Sequence, residues 1–180
     1  MGRGCLCGCP RRVRSRLKTG RVIMLSLKEV ASNARSAELV AQLAAVWERS
    51  VRATHGFLAE EDIVGMRPDV PNYIRGIAQL TVAYEDDRAI GFAGVEDGSL
   101  EMLFIDAEAR GRGTGKALLR HAVENQGVVR LDVNEQNPQA RGFYEHEGFR
   151  VVSRSELDGE GRPFPLLHME LAGEDVVREV

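Results

Sequence analysis

Apolar residues recur at two periods along this chain, and each period predicts one kind of element. After Ser36 they keep the three- to four-residue spacing of a helix face, so we predict a helix that Ser36 caps and that ends near Thr54. Glycines and prolines interrupt residues 59–77, which predicts short helical turns in a mobile segment. Two further helices are predicted, one after the glycine-rich residues 110–115 and one after Asn137, which caps it.

Short apolar runs between turn-forming residues predict the strands. They are expected at residues 25–30, 80–84, 89–95, 99–105, 128–133, 149–157 and 164–171. Asp97 and Gly98 are typical of a tight hairpin turn between two of these runs. The order of elements predicts a single domain over residues 24–180, of mixed α/β (α+β) class, with helices on the faces of a mixed sheet.

Charge is distributed unevenly along the 180 residues. The first 23 residues contain seven basic residues, no acidic residue and all three cysteines, whereas the rest has 17 basic and 27 acidic residues. The negative charge of this body disfavours the binding of nucleic acid and favours cationic partners such as amines. No window approaches the roughly 20 apolar residues of a membrane helix, and the cysteine-free body has no thiolate metal site. We therefore expect a cytoplasmic protein without membrane or metal partners.

Residues 1–23 are interpreted as a basic leader that is disordered or not native. Cys5, Cys7 and Cys9 lack a nearby fourth ligand and do not have zinc spacing. No long apolar stretch follows the arginines, which argues against a secretion signal, while the arginine-rich, acid-free composition leaves a mitochondrial transit peptide open. The abrupt change of composition favours a native start at Met24, an expectation that the intact mass of the native protein tests.

The clearest chemical signal is a glycine-rich turn between a predicted strand and a predicted helix. Its residues are Arg110, Gly111, Arg112, Gly113, Thr114 and Gly115, followed by Lys116. Glycines let a ligand approach the backbone, and a helix N-terminus offers free N–H groups and a positive dipole end. This predicts a phosphate site, with an ordinary tight turn as the alternative. The spacing fits neither a Walker A loop nor a dinucleotide fingerprint, which needs a glycine where Lys116 stands.

Two motifs together resemble the GNAT superfamily of N-acetyltransferases. The glycine-rich turn matches the cofactor signature of that superfamily, Arg/Gln-x-x-Gly-x-Gly/Ala at the start of a helix. A second signature, Asn-x-x-Ala-x-x-x-Tyr-x-x-x-Gly-Phe, is matched by Asn137, Ala140, Tyr144, Gly148 and Phe149. The resemblance covers residues 25–171 and implies the acyl-CoA N-acyltransferase fold, a mostly antiparallel mixed sheet flanked by helices.

The resemblance implies transfer of acetyl from acetyl-CoA to a primary amine of a small molecule or peptide by direct attack. The pyrophosphate is then expected on the glycine-rich turn and Lys116, and the pantetheine arm along Leu103, Phe104 and Ile105. A backbone N–H of that strand would polarise the thioester carbonyl and stabilise the oxyanion. Two residues of the second motif, Asn137 and Ala140, are assigned to the cofactor arm.

Tyr144 matches the family tyrosine that protonates the leaving thiolate, although a packed helix face is its ordinary structural explanation. The general base is open. Glu101 interrupts an apolar strand, where a charge is expected only beside a cleft, and His55 ends a helix whose dipole also favours it; a water chain is the third candidate. Asn134 orients the acceptor or closes a turn. The other histidines are interpreted as surface or packing residues: His121, His146 and His168.

Two other functions stay open at this point. The fold could serve as an acyl-CoA sensor or interaction module without turnover. A toxin-like acetyltransferase acting on charged tRNA would need the basic leader to overcome the acidic body. The amine acceptor, the acyl chain length and the oligomeric state, a homodimer included, are not determined by the sequence.

Overall fold

The computed structural model describes residues 12–16 and 22–173, with side chains from Met24 onward. In this part of the chain eight strands form one sheet in the order β1-β2-β3-β4-β5-β6-β8-β7. The strands are β1 (Arg12–Arg16), β2 (Val22–Glu29), β3 (Gln79–Glu85), β4 (Arg88–Glu96), β5 (Ser99–Ile105), β6 (Arg130–Asn134), β7 (Phe149–Ser155) and β8 (Leu166–Leu171). Every neighbouring pair is antiparallel except β5 and β6, which are parallel. The predicted mostly antiparallel mixed sheet is confirmed.

Five α-helices accompany the described strands: α1 (Ala37–Thr54), α2 (Glu60–Met66), α3 (Val70–Gly76), α4 (Thr114–Gln126) and α5 (Pro138–His146). Both predicted caps are confirmed, since Ser36 Oγ accepts from Leu39 N at 3.2 Å and Asn137 Oδ1 accepts from Ala140 N at 3.1 Å. The interrupted segment folds as the two short helices α2 and α3. Its mobility stays a prediction.

The helices cover both faces of the sheet at its central strand β4. Leu43 and Ile74, from α1 and α3, pack in one cluster with Phe92 of β4. Leu118 of α4 packs on the opposite side in a cluster with Ala93. Because β4 is covered on both faces, it is apolar and buried over almost its whole length instead of alternating.

Arg35 ties the short helices to the sheet. It is only 7% exposed, and its guanidinium donates to five backbone carbonyls at 2.6–3.3 Å. These belong to Val30, Ile74, Arg75, Ile77 and Ala78. The carbonyls at the end of a helix have no partner within it, so Arg35 satisfies the C-terminus of α3. Burial lowers the pKa of Arg35.

Two element boundaries differ from the sequence prediction. Strand β1 lies inside the predicted leader, where no strand was expected, and the remainder of residues 1–21 falls outside the described ranges. Strand β7 ends earlier and strand β8 begins later than predicted, because Asp158 holds the segment between them in a turn. Its carboxylate accepts from the backbone N–H groups of Glu160 and Arg162 at 3.0 and 2.9 Å. Within the described residues, no helix has the length and apolar character needed to cross a membrane.

Candidate active site

Strands β5 and β6 separate soon after they meet. They pair only at Ser99 with Arg130 and at Leu100 with Leu131. A register shift at Gly94/Val95 interrupts the pairing of β5 with β4 on its other side. Beyond Leu100 the strand therefore keeps its β4 partner but has no β6 partner, which opens a cleft in the middle of the sheet. Such irregularities commonly lie next to active sites.

Two cavities flank this separation. The smaller, about 560 Å³, lies among β5, the glycine-rich turn and α5. The larger, about 1220 Å³, lies among α2, α3 and the C-terminal strands. Glu101, Phe104 and Asp132 line both cavities, so these three residues mark where the two spaces meet.

Most residues assigned to the cofactor line the smaller cavity: Leu103, Phe104, Ile105, Arg110, Gly111, Gly113, Gly115, Lys116, Asn137 and Ala140. Arg112 and Thr114 do not. Arg112 instead forms an ion pair with Glu85 of β3 at 2.9 Å, and the Thr114 side chain is buried as the first residue of α4. The structure thus brings together a set that the sequence placed on four separate elements.

The glycine-rich turn leaves the start of α4 open. Gly111 and Gly113 have φ values of 72° and 85°, a left-handed conformation that favours glycine. Gly113 is the N-cap of α4 and forms no side-chain cap. A Cβ atom at either glycine would meet nothing within 4 Å. The start of α4 therefore has no side-chain cap, which leaves its first N–H groups available to an anion such as a pyrophosphate.

The cations near this turn already have partners. Arg110 Nη2 donates to Gln139 Oε1 at 2.8 Å. Lys116 Nζ lies 2.6 Å from Glu147 Oε1, and the Glu147 side chain is only 8% exposed. The positive character of the anion site accordingly comes from the helix N-terminus and Arg110, with the charge of Lys116 largely neutralised.

Asp106 fixes the end of β5 just before the turn. Its side chain is inaccessible and accepts hydrogen bonds from Arg49 and Arg88, each at 2.8 Å, while Glu108 N donates to its other oxygen at 3.3 Å. Burial alone would raise the pKa of Asp106, but the hydrogen bonds from Arg49 and Arg88 lower it. This role of Asp106 could not be predicted from the sequence, because its two arginine partners are distant along the chain.

Tyr144 lies in the wall of the smaller cavity, 9% exposed, against the rings of Phe143 and Phe149. No described residue forms a hydrogen bond with its hydroxyl. Burial raises the pKa of Tyr144, so the phenol is protonated at neutral pH. The structure therefore shows the packing of Tyr144 in the cavity wall, and its role as proton donor stays a prediction.

His55 also faces the smaller cavity, but it does not line the larger one. Its Nδ1 lies 2.7 Å from Thr54 Oγ1, whose hydroxyl donates to Ser50 O at 2.8 Å. Since that hydroxyl proton is engaged, Nδ1 is the donor and Nε2 is the basic nitrogen. Burial, and secondarily the positive charge of Arg110, lowers the pKa of His55. His55 is a neutral imidazole on the cofactor side of the cleft.

Glu101 is exposed at the junction of the two cavities, as its place in an apolar strand predicted. Asn134 ends β6 on the wall of the smaller cavity, and its carbonyl accepts from Asn137 N at 2.9 Å, which closes a turn. Its side-chain Oδ1 is buried without a partner in the described residues. Asn134 thus closes a turn with its backbone while its side chain keeps an unused acceptor.

The larger cavity is strongly acidic. Its wall contains nine carboxylates: Glu61, Asp62, Asp69, Glu96, Asp97, Glu101, Asp132, Glu160 and Glu170. Arg130 and Arg162 are its arginines. Tyr73 of α3 donates to Glu160 at 2.9 Å and so joins α3 to the β7–β8 connection across one side of the space. This charge balance favours a cationic ligand.

The sequence did not predict a row of hydrogen-bonded side chains that begins in the same wall. Asp132 Oδ1 lies 2.7 Å from His168 Nδ1, and His168 Nε2 lies 2.6 Å from Ser155 Oγ. His168, interpreted from the sequence as a surface or packing residue, instead lines the larger cavity between two hydrogen-bond partners. The polar positions of β6 and β8 are visible in the sequence, but their pairing depends on the register that places Asp132 opposite His168.

Metal chemistry receives no support from the described side chains. They contain no group of three or more His, Cys, Asp or Glu residues placed to hold an ion. Cys5, Cys7 and Cys9 lie outside the described ranges, so the expected absence of a metal site stays a prediction.

Comparison with known proteins adds independent findings. A family model described as acetyltransferase (GNAT) domain matches residues 44–172. Peptidyl-lysine N-acetyltransferase YjaB of Escherichia coli strain K12 is 39% identical over 132 residues, covering 73% of this chain and 90% of that protein. Peptidyl-lysine N-acetyltransferase YiaC of the same organism is 31% identical over 108 residues, covering 59% and 74%.

Solved structures agree with the fold. The solution structure of apo YjaB from Escherichia coli superposes with a TM-score of 0.72 at 37% identity, covering 83% of this chain and 98% of that one. PaiA N-acetyltransferase from Thermoplasma acidophilum, solved in complex with coenzyme A, gives a TM-score of 0.62 at 21% identity, covering 82% and 99%. The second likeness supports the fold alone.

Proposed function

Because this chain belongs to the GNAT acetyltransferase family and is an N-acetyltransferase, we propose that it acetylates the side-chain amine of a lysine in a peptide or protein, with acetyl-CoA as the donor. The observation that carries the proposal is the acidic cavity that meets the smaller cavity at Glu101 and Asp132. A lysine ammonium is the cation that this wall would attract. The names of YjaB and YiaC, both peptidyl-lysine acetyltransferases, support the same acceptor class.

The smaller cavity suits acetyl-CoA on three counts. The uncapped start of α4 offers N–H groups to a pyrophosphate. The part of β5 that β6 leaves unpaired offers backbone groups to the amides of the pantetheine arm. Asn134 Oδ1 is a buried acceptor without a partner among the described residues, which an amide N–H of that arm would satisfy.

Acetyl-CoA supplies a thioester whose acyl carbon an amine attacks directly. A backbone N–H of β5 near Leu103 would hydrogen-bond the thioester oxygen and stabilise the negative charge that develops there. The Tyr144 hydroxyl, protonated and without a partner among the described residues, would donate its proton to the leaving sulfur. These roles agree with those that the family resemblance implies.

The acceptor enters from the opposite side. Glu101 stands at the junction and would hold the lysine ammonium beside the thioester by charge attraction. His55 faces the cofactor side instead, so we place it against the donor and not against the ammonium. Because an amine attacks only when unprotonated, a proton acceptor is needed on the side of the larger cavity.

The test compares three acceptors at equal concentration: a peptide with one internal lysine and a blocked N-terminus, the same peptide with arginine replacing lysine, and a small diamine. Release of free coenzyme A thiol with the lysine peptide alone is the expected result. Release with the diamine alone would assign the site to small amines and reject the peptide acceptor.

A non-catalytic acyl-CoA sensor is the second candidate from the sequence. The Tyr144 hydroxyl lies beside the cleft and has no partner among the described residues, which favours turnover over sensing. Binding of acetyl-CoA without thiol release for any amine would favour the sensor. The cytoplasmic location, the absence of a nucleic-acid partner and a homodimer stay predictions.

A further inference from the structure

The polar row of Asp132, His168 and Ser155 runs across three adjacent strands, and its first two residues lie in the acceptor-side wall. Asp132 and His168 lie directly opposite each other on β6 and β8, and Ser155 reaches the same ring from β7. Asp132 lines both cavities and His168 lines the larger one, so the row begins at the junction where an acceptor amine would meet the thioester.

Hydrogen bonding fixes the protonation pattern of the His168 ring. An ionised carboxylate can only accept, so Nδ1 carries a hydrogen and donates it to Asp132 Oδ1 at 2.7 Å. Nε2 of the neutral ring then accepts from the Ser155 hydroxyl at 2.6 Å. If Nε2 gains a proton, the hydroxyl can rotate and accept from it. Both charge states of His168 therefore keep two hydrogen bonds.

We propose that His168 relays the proton that the acceptor ammonium loses before attack, with Asp132 as the residue that orients its ring and Ser155 as the hydrogen-bond partner of its Nε2. The proposal rests on the proposed lysine acetylation. It assigns to a histidine the step for which Glu101, His55 and water were the candidates from the sequence.

Basicity favours an imidazole over a carboxylate for this step. In small reference compounds an imidazole has a pKa of about 6.5 and a glutamate side chain about 4.3, so the ring is the better match to an amine near neutral pH. Glu101, across the junction on β5, remains suited to attracting the ammonium by its charge.

Charged groups on the neighbouring strands share this wall with His168. Glu170 of β8 and Arg130 of β6 lie opposite each other in the register, and both line the larger cavity. Glu101 of β5 faces the same space. Arg154 of β7 is held by ion pairs to two glutamates, Glu135 and Glu156. Asp132 and Glu101 thus place two carboxylates at the junction of the two cavities.

The proton and electron balance closes with these groups. One N–H bond of the ammonium breaks, and its proton passes through water in the larger cavity to His168 Nε2, while the Ser155 hydroxyl rotates to accept from that nitrogen. The freed nitrogen lone pair bonds the thioester carbon, the carbon–sulfur bond breaks, and sulfur leaves with its electron pair and takes the Tyr144 proton. The second nitrogen proton returns through water to the Tyr144 oxygen, and His168 releases its proton to solvent.

The test measures kcat and KM against pH for acetylation of the lysine peptide by wild type, His168→Gln, Asp132→Asn and Ser155→Ala. For His168→Gln we expect kcat near pH 7 to fall about 100-fold, the typical size of a general-base contribution, with KM for acetyl-CoA unchanged. The difference in kcat between wild type and His168→Gln should shrink as the pH approaches about 10.4, where the lysine amine is deprotonated without a base. Asp132→Asn and Ser155→Ala should show smaller losses and a displaced pH profile.

His121→Gln is the matched control. His121 Nε2 also pairs with a carboxylate, Glu29 at 2.8 Å, but His121 lines neither cavity. It should keep the wild-type pH profile. Thermal stabilisation by acetyl-CoA should be equal in all variants, which shows that each is folded and binds its donor.

Two results would overturn the proposal separately. If wild type acetylates the peptide and His168→Gln keeps its kcat and pH profile, or if Glu101→Gln alone abolishes the pH dependence, the relay is wrong and the proposed function stands. If wild type is stabilised by acetyl-CoA yet acetylates no lysine peptide, the proposed function fails and the relay with it.

Discussion

Lys116 and Glu147 form an ion pair of 2.6 Å between the first turn of α4 and the end of α5, inside the cavity assigned to the cofactor. Glu147 is nearly buried, and Arg120 approaches its other oxygen at 3.8 Å. Lys116, the cation that follows the glycine-rich turn, is thus already paired with a carboxylate. Backbone N–H groups at the start of α4, more than the Lys116 charge, are expected to hold the pyrophosphate.

Glu147→Gln should therefore tighten acetyl-CoA binding. The substitution removes one negative charge from the anion site and releases the Lys116 ammonium, so we expect Kd to fall about threefold, a typical size for one partly exposed charge. Calorimetric titration at low and high salt measures it, and the gain should shrink with salt. Unchanged affinity at low salt would mean that Lys116 does not face the phosphates.

Gly113→Ala should weaken acetyl-CoA binding because alanine in the left-handed conformation costs about 1–2 kcal/mol and redirects the N–H groups of the turn. A saturating ligand at about 100 times its Kd adds roughly 2.7 kcal/mol to wild-type stability, and a tenfold weaker variant gains about 1.4 kcal/mol less. Thermal unfolding with and without acetyl-CoA gives both values.

Gly142→Ala is the matched control for this measurement. Gly142 lies inside α5 without positive φ, and a Cβ there meets nothing within 4 Å. Alanine should stabilise the free protein by about 1 kcal/mol and leave the acetyl-CoA increment intact. Equal increments in both alanine variants would contradict the role of the turn.

Tyr144→Phe should lower kcat by about 100-fold, as expected for loss of a general acid, and leave KM for acetyl-CoA unchanged. Stability should change little, because no described residue bonds the hydroxyl that is lost. Steady-state kinetics and thermal unfolding of the same preparation separate the two effects. A variant with full kcat would assign Tyr144 to packing alone.

Asp106→Asn should destabilise the protein by about 3 kcal/mol at neutral pH, because it leaves the contacts of a buried carboxylate with Arg49 and Arg88 incomplete. The pKa of Asp106 is lowered by folding, so its contribution is present above the unfolded value of about 3.9 and is lost as pH falls through the folded value. Urea unfolding from about pH 7 to about pH 3 should show a smaller acid-dependent loss in the variant than in wild type. Parallel curves would refute the assignment.

Arg35→Lys should cost about 2–3 kcal/mol, since an ammonium cannot reach the carbonyls that the guanidinium spans, and charged hydrogen bonds contribute about 1.5–3 kcal/mol each. Arg75→Lys on the exposed face of α3 is the control and should be near neutral. Equal unfolding midpoints for the two variants would show that the hydrogen bonds of Arg35 do not contribute to stability.

Features carried by neighbouring residues could be predicted from the sequence. The Ser36 and Asn137 caps, the glycine-rich turn and the position of Glu101 beside a cleft each depend on a few consecutive residues and their chemistry. The α1 helix follows from apolar spacing alone, because its buried residues recur at the helical period.

Features that join distant strands could not be predicted in this way. The Asp132–His168 pair depends on the register of β6 with β8, and the Ser155 contact depends on β7, where the pairing with β8 shifts between Val151 and Ser153. Register is set by tertiary packing, so residue types alone did not distinguish a relay histidine from a surface one. The ion pairs of Asp106 with Arg49 and Arg88 could not be predicted for the same reason.

We propose that the acidic cavity binds a lysine side chain and places its amine beside the thioester. The most direct measurement is fragment mass spectrometry of a lysine-containing peptide with a free N-terminus after incubation with wild-type protein and acetyl-CoA, with Tyr144→Phe as the control. We predict acetylation at the lysine side-chain nitrogen, strongly reduced in the control. Acetylation confined to the terminal amine, or equal labelling by both proteins, would contradict it.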